Sequence, residues 1–245
     1  MVAGWIGAFV AIVLGAASVA RGAAPDAWNG RTSGDALDKL WHEVPSPLRP
    51  AIEFEKLLLK VRSADRSSEW REEMEKFAKA PGDNPMTAGL RELAKAWLAR
   101  VLMDEIDGAL RKFYRREVRF PDSLEAVLPD IPADAKRDPW GEAWVYKTAT
   151  PKGFTKLNKQ RYQLGPTRYP QLSPLHEAAR ATPTPPAWKI TPHNISGAKA
   201  LELRSAKGQV AVVQPGGQFA DTTLLHIGEG WALLADTEQL FTISF

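Results

Sequence analysis

Four histidines, His42, His176, His193 and His226, are the side chains of this 245-residue chain best suited to proton transfer or metal ligation near neutral pH. No two of them lie two to five residues apart. The chain therefore carries no paired-histidine metal site and no His-Glu-x-x-His helix. It has no cysteine, which removes disulfides, thiol nucleophiles, thiolate-bound zinc and a lipidated cysteine anchor. A Gly-x-Ser-x-Gly elbow, a phosphate loop and a dinucleotide fingerprint are all missing. His226, inside "TTLLHIG", reads as a polar-face strand residue. Asp104 and Asp107 of "DEIDG" share one helical face with Glu105 beside them, but the one-three-five spacing of a calcium loop is absent. They read as a solvated face. "RKFYRREVR" sets Arg111, Lys112, Arg115, Arg116 and Arg119 around Phe113 and Tyr114. Such a cluster either docks on an anionic surface or complements the negative end of a helix dipole, and the dipole reading is preferred. No catalytic, cofactor-binding or metal residue is assigned, no cofactor is expected, and the chain does not read as an enzyme.

The elements that would position these groups are legible from periodicity. "DALDKLWHEV", "PSPLRPAIEFEKLLLKVRS" and "SSEWREEMEKFAKA" each repeat apolar residues at helical spacing, so 34–82 is expected to be a helical segment. "PGDNP" breaks it. Asn84 can cap the next helix and Pro85 suits its first position. An apolar stripe from Leu90 through Trp97, Leu102 and Ile106 to Phe113 predicts one long helix over about 86–116. "DSLEAVL" follows as a short helical turn. "RDPWGEAWVYK" then reads as a type I turn launching a strand. Asp138 suits the first turn position, Pro139 presets φ at the second, and Gly141 suits the fourth. Trp144 and Tyr146 should share one strand face, with Val145 on the other. "KQRYQLGPT" gives a second strand, joined to the first through Lys152 and Gly153.

Seven prolines between 165 and 197 read as a linker or extended cover segment, placed at 169–197. From 198 on, "KALELRS", "GQVAVVQ", "TTLLHIG", "GWALLAD" and "QLFTISF" are five short apolar runs split by Gly, Asp or Ser. They predict a small all-β module over 198–245, able to fold alone. Its last run puts Phe241, Ile243 and Phe245 on one face, a candidate interaction edge that can also complete the sheet.

The N-terminus carries sixteen uncharged residues, 5–20, with Ser18-Val19-Ala20 as a small-x-small cleavage site. That suits a signal peptide. Counted from Val2 the run is nineteen residues, so an uncleaved membrane anchor is the alternative, and the segment 1–24 is read as one or the other. Either way the bulk of the chain is expected outside the cytoplasm, in the periplasm or held at the inner membrane through residues 2–20. A balance of 32 basic against 29 acidic residues, net +3, makes no case for a nucleic-acid partner.

Taken in order, residues 90–166 resemble the globular half of the type II secretion major pseudopilin and related type IV pilin-like proteins. The resemblance rests on Ala109, Leu110, Phe113 and Tyr114 at the helix end, and on Phe120, Pro121, Leu124 and Glu125 after it. It continues through Asp138, Pro139, Trp140 and Gly141, then Tyr146, then Tyr162 to Pro166. It implies an α+β fold: a long helix packed on a small antiparallel sheet, over 84–168, here preceded by a helical segment and followed by the β-module. Two departures limit what carries over. Gly4 is followed by Trp5 and no acid occurs before Asp26, so the prepilin-peptidase site is missing, and a helical insert separates the apolar run from the striped helix. Thr167 and Arg168 also stand where the family places calcium-binding acids. The C-terminal stretch is similar, more faintly, to the small β-domain of inner-membrane secretion and pilus alignment proteins; any small β-barrel or sandwich is an equal alternative. The resemblance implies a non-catalytic structural or accessory component of a type II secretion or type IV pilus-like envelope machine, partnered by its protein components. The alternatives are a cell-envelope enzyme with an unrecognised site and a periplasmic binding protein reusing the fold.

Overall fold

A computed structural model describes residues 33–63, 67–149, 161–181 and 184–245. The apolar N-terminal segment and the Lys152-Gly153 connection lie outside these residues. Among the described residues no helix is long and apolar enough to cross a membrane.

Helices dominate the first half. Helix α1 (Gly34–Glu43) starts where the Ser33 carbonyl and hydroxyl accept from Ala36. Helices α2 (Arg49–Ser63) and α3 (Arg71–Ala78) follow. Helix α4 (Pro85–Glu117) is 33 residues long, about 50 Å at 1.5 Å per residue. Asn84 caps it as expected: its Oδ1 accepts from the Thr87 amide at 2.9 Å. It stops at Val118, whose amide donates to the Tyr114 carbonyl at 2.7 Å. There the backbone turns left-handed, φ 58°, a conformation that suits glycine far better than a β-branched residue.

The chain divides into two compact units. One holds residues 57–63, 67–81, 90–149 and 161–181. Its core joins Ala96, Ala99, Leu102, Met103, Ile106, Ala109 and Leu110 of α4 to Val127, Ile131, Ala135, Leu164 and Leu172. Trp70 packs edge-on against Trp97, ring centroids 6.5 Å apart. Arg71 ties α3 to Glu105 of α4 (2.8 Å) and to Asp134 (2.6 Å). Strands β1 (Trp144–Ala149) and β2 (Arg161–Pro166) form an antiparallel pair, with Tyr146 opposite Leu164. Short 3-10 turns at Leu124–Asp130 and Ala133–Lys136 bridge α4 to β1.

The other unit holds residues 33–56, 82–89 and 184–245. Strands β3 (Lys189–Ile195), β4 (Ala198–Arg204) and β5 (Val210–Val213) form one sheet in that order. Strands β6 (Gln218–Phe219), β7 (Thr222–Ile227), β8 (Trp231–Ala235) and β9 (Leu240–Ser244) form a second. Both sheets are antiparallel. Leu201, Leu203 and Val213 of the first meet Phe219, Leu224, Ile227, Leu234 and Phe241 of the second in one apolar cluster. The fold is thus mixed helix and sheet, with small antiparallel sheets.

Three expectations are corrected. The segment 169–197 is not a bare linker: it carries helix α5 (Leu175–Arg180) and strand β3. Its prolines misled because Pro192 sits on an edge strand, paired only to Leu201 of β4, where a missing N–H is tolerated. The β-module gains β3 and the two-residue β6 beyond the five expected runs. Nor does its compact unit begin at 198, since it also takes in 33–56 and the first turns of α4. A register shift between Leu224 and His226 leaves Leu225 as the extra residue. A Cβ at Gly89 would overlap the Leu225 Cδ2 methyl, so a larger residue there would require the Leu225 side chain to shift.

Trp97 is fully buried. Trp97→Ala should lower unfolding free energy by about 3–5 kcal/mol, read from urea denaturation followed by circular dichroism.

Candidate functional site

The corner at 138–141 is built as its residue types dictate. The Gly141 amide donates to the Asp138 carbonyl at 2.8 Å, closing the turn. Asp138 Oδ1 accepts from the Trp140 and Glu142 amides at 3.0 and 2.8 Å. Gly141 takes φ 87°, which a side chain would resist. Asp138 is buried, and its Oδ2 has no hydrogen-bond partner. The Arg137 guanidinium closes the far side by donating to the Gly141 carbonyl at 2.9 Å.

What the corner holds was only partly visible in the sequence. Trp140 Nε1 donates to Glu92 of α4 at 2.9 Å, and Arg168 Nη1 reaches the same carboxylate oxygen at 3.0 Å. Trp140 also packs edge-on against Tyr169, 5.5 Å between centroids. Thr167 Oγ1 donates to the Ala143 carbonyl at 2.7 Å. Thr167 and Arg168 therefore serve as ties: one joins the end of β2 to the start of β1, the other joins it to α4. Trp144 and Tyr146 share a face, as expected. Trp144 Nε1 donates to the Ala135 carbonyl and the Tyr146 hydroxyl to the Pro121 carbonyl, each at 2.9 Å. Burial, with Asp122 nearby, pushes the Tyr146 phenol up to about 12. Gly165 lets the chain double back on itself: a Cβ there would stand 2.6 Å from the Pro170 carbonyl oxygen.

Beside β2 lies a cleft of about 540 Å³. Asp104, Asp107 and Arg111 of α4 line one wall; Gln163, Ser173, His176 and Glu177 line the other. Asp107 and Arg111 pair at 2.5 Å. Burial raises the Asp107 carboxyl above its ordinary value, the nearby Asp104 adds to this, and Arg111 and His176 oppose it. The sequence placed Asp104 and Asp107 on a solvated face and His176 in a linker. Nothing local in either segment signals that α5 brings them together, because the approach depends on the fold of the intervening chain. The cleft can take a polar ligand and hold or release a proton at Asp107.

The other sequence candidates scatter. His193 faces Glu202 at 3.5 Å. His226 lies beside Trp231, and burial together with Lys199 holds its imidazole below the usual histidine range. Phe241 is fully buried in the sandwich, with Ile243 and Phe245 packed on that cluster. The last strand thus forms one edge of the second sheet, with Phe241 in its core and Ile243 and Phe245 half-buried against it. Arg111, Lys112, Arg116 and Arg119 pair with Asp107, Asp130, Glu117 and Asp122. Among the described residues no group of three or more His, Asp or Glu side chains is placed to hold a metal ion.

Comparison with protein families, with curated proteins and with solved structures finds no match to this chain.

Two outcomes test this geometry. Asp138→Ala strips the acceptor from two amides in a part-buried turn, and should cost about 1–3 kcal/mol of stability in denaturant titration. Asp107 is raised in the fold, so its contribution to stability is present while it is protonated and is lost as pH rises through its folded value. The stability of wild type relative to Asp107→Asn should therefore decline from acid pH to neutral. A difference that stays flat or rises would mean the Arg111 pair outweighs burial.

Proposed function

We propose that this chain is a non-catalytic accessory component of a type II secretion or type IV pilus-like envelope machine, acting through protein–protein contacts outside the cytoplasm. The observation that carries the reading is one connected set of ties. A long helix, buried all round from Ala96 to Met103, leads to Phe120 and Pro121, whose carbonyl takes the Tyr146 hydroxyl. The Asp138 turn then launches a two-stranded sheet that ends at Gly165 and Pro166. The pseudopilin-like residues of the sequence are the ones making these ties, and their contacts are structural.

Within such a machine the pilin-like part acts as a rigid body and the β-rich unit supplies a second surface. The helices α1 to α3 that precede the striped helix argue for an accessory component over a filament subunit. The cleft of about 540 Å³ at Asp107 and His176 favours a second reading, a periplasmic binding protein that reuses the pilin-like fold, since pockets of this size suit small ligands.

The test is fractionation of the native host producing the full chain with a C-terminal tag, followed by cross-linking in intact cells. Recovery with the envelope, and cross-links to a secretin or an inner-membrane assembly protein, are expected. Recovery from the cytosol would end the envelope placement. Envelope recovery without a secretion or pilus component among the cross-links would end the machine assignment and leave the binding-protein reading.

A further inference from the structure

Among the described residues, Val210 and Val212 of β5 are two of four large apolar side chains more than two-fifths exposed. They sit at the end of a sheet, because β5 pairs only with β4. The ladder alternates. Ser205 donates to the Gln209 carbonyl at 2.9 Å, so Leu203–Ala211 and Leu201–Val213 are the hydrogen-bonded pairs and Glu202–Val212 and Arg204–Val210 the open ones. The amides and carbonyls of Val210 and Val212 therefore point away from β4. Among the described residues no backbone hydrogen bond outside that ladder reaches them.

Protein sheets usually blunt such an edge with charge or proline. Edge strand β3 follows that rule with Lys189, Pro192 and His193. At β9 the side chains of Leu240, Phe241 and Thr242 are all buried. β5 has neither protection: no charged residue occurs from Gly208 to Ala220.

We infer that the β5 edge is a homodimer surface, on which a second copy of this chain lays its own β5 antiparallel about a two-fold axis. This rests on the sandwich geometry and not on the secretion reading. The axis passes between Ala211 and Ala211 of the second copy. Val210 then exchanges both backbone bonds with Val212 of the second copy, and Val212 with its Val210. Four hydrogen bonds form, and four valines cluster on one face as cross-strand pairs. Ala211, on the opposite face, packs against the apolar cluster, and its small side chain adds little bulk at the joint. Charge agrees with this register. Each row across the joint runs Arg204, Val210, Val212 of the second copy, Glu202 of the second copy, so like charges never share a row. A four-residue edge buries less than the roughly 1,200–2,000 Å² of a standard interface. Association is therefore weak and concentration-dependent.

The experiment is sedimentation equilibrium of the full chain from low to high micromolar concentration. A monomer–dimer equilibrium is expected. Val212→Lys should weaken it at least about tenfold, as edge lysines do, while Val118→Lys, at another exposed valine, should leave it unchanged. Wild type that stays monomeric throughout overturns the inference, as does a dimer that Val212→Lys leaves intact. A second measurement guards against misfolding of Val212→Lys. The chain has no cysteine, and a non-hydrogen-bonded antiparallel pair brings Cα atoms to about 4.5 Å, within disulfide range. Ala211→Cys should therefore oxidise to a covalent dimer much faster than Val118→Cys. Equal rates would also overturn the inference.

Discussion

The burial of the middle of helix α4 is the constraint on which its compact unit depends. From Ala96 to Met103 every residue is buried, so the helix has no solvent face at that level. An α-helix apolar all round must be enclosed. Trp70, at the N-cap of α3, covers Trp97, while Leu164 and Leu172 share a cluster with Leu102 and Ile106. Each fully buried Leu or Ile contributes roughly 1.5–3 kcal/mol, which is enough in sum to order the flanking turns. The one charge in this stretch is accommodated: the Arg100 guanidinium lies 4.9 Å from the Trp97 ring centroid and 3.4 Å from Ser173 Oγ.

Polar contacts then decide direction where burial cannot. Burial is non-directional and would accept several placements of β1 and β2 on α4. Glu92 removes that freedom, because one carboxylate oxygen receives both the Trp140 indole and the Arg168 guanidinium. Tyr146 on the Pro121 carbonyl pins the strand at a second point. Two directional ties from one short strand and its corner define an orientation. This is the physical content of the Asp-Pro-Trp-Gly stretch: a turn that aims an indole.

Legibility followed range. The capped helix, the turn at Asp138 and the face shared by Trp144 and Tyr146 were readable because each depends on residues within a few positions. Strand β3 was not, because proline count outweighed its Ile190 and Ile195, and only its place at the sheet edge makes Pro192 acceptable. The cleft was invisible for a related reason: Asp107 and His176 meet through a fold that brings distant segments together.

The sequence by itself therefore determined the elements: the long helix from its apolar stripe and cap, the corner from Asp138, Pro139 and Gly141, and the β-rich end from its short apolar runs. Tertiary structure alone decided which charges would find partners. Arg168, read only as the loss of a calcium ligand, became the clamp on Glu92, and Phe241, read as a candidate docking residue, became core. It alone also decided which strand edge stays open. Backbone donors and acceptors are the same at every strand, so sequence can mark β5 as uncharged, but only pairing order shows that no described strand pairs with its outer edge.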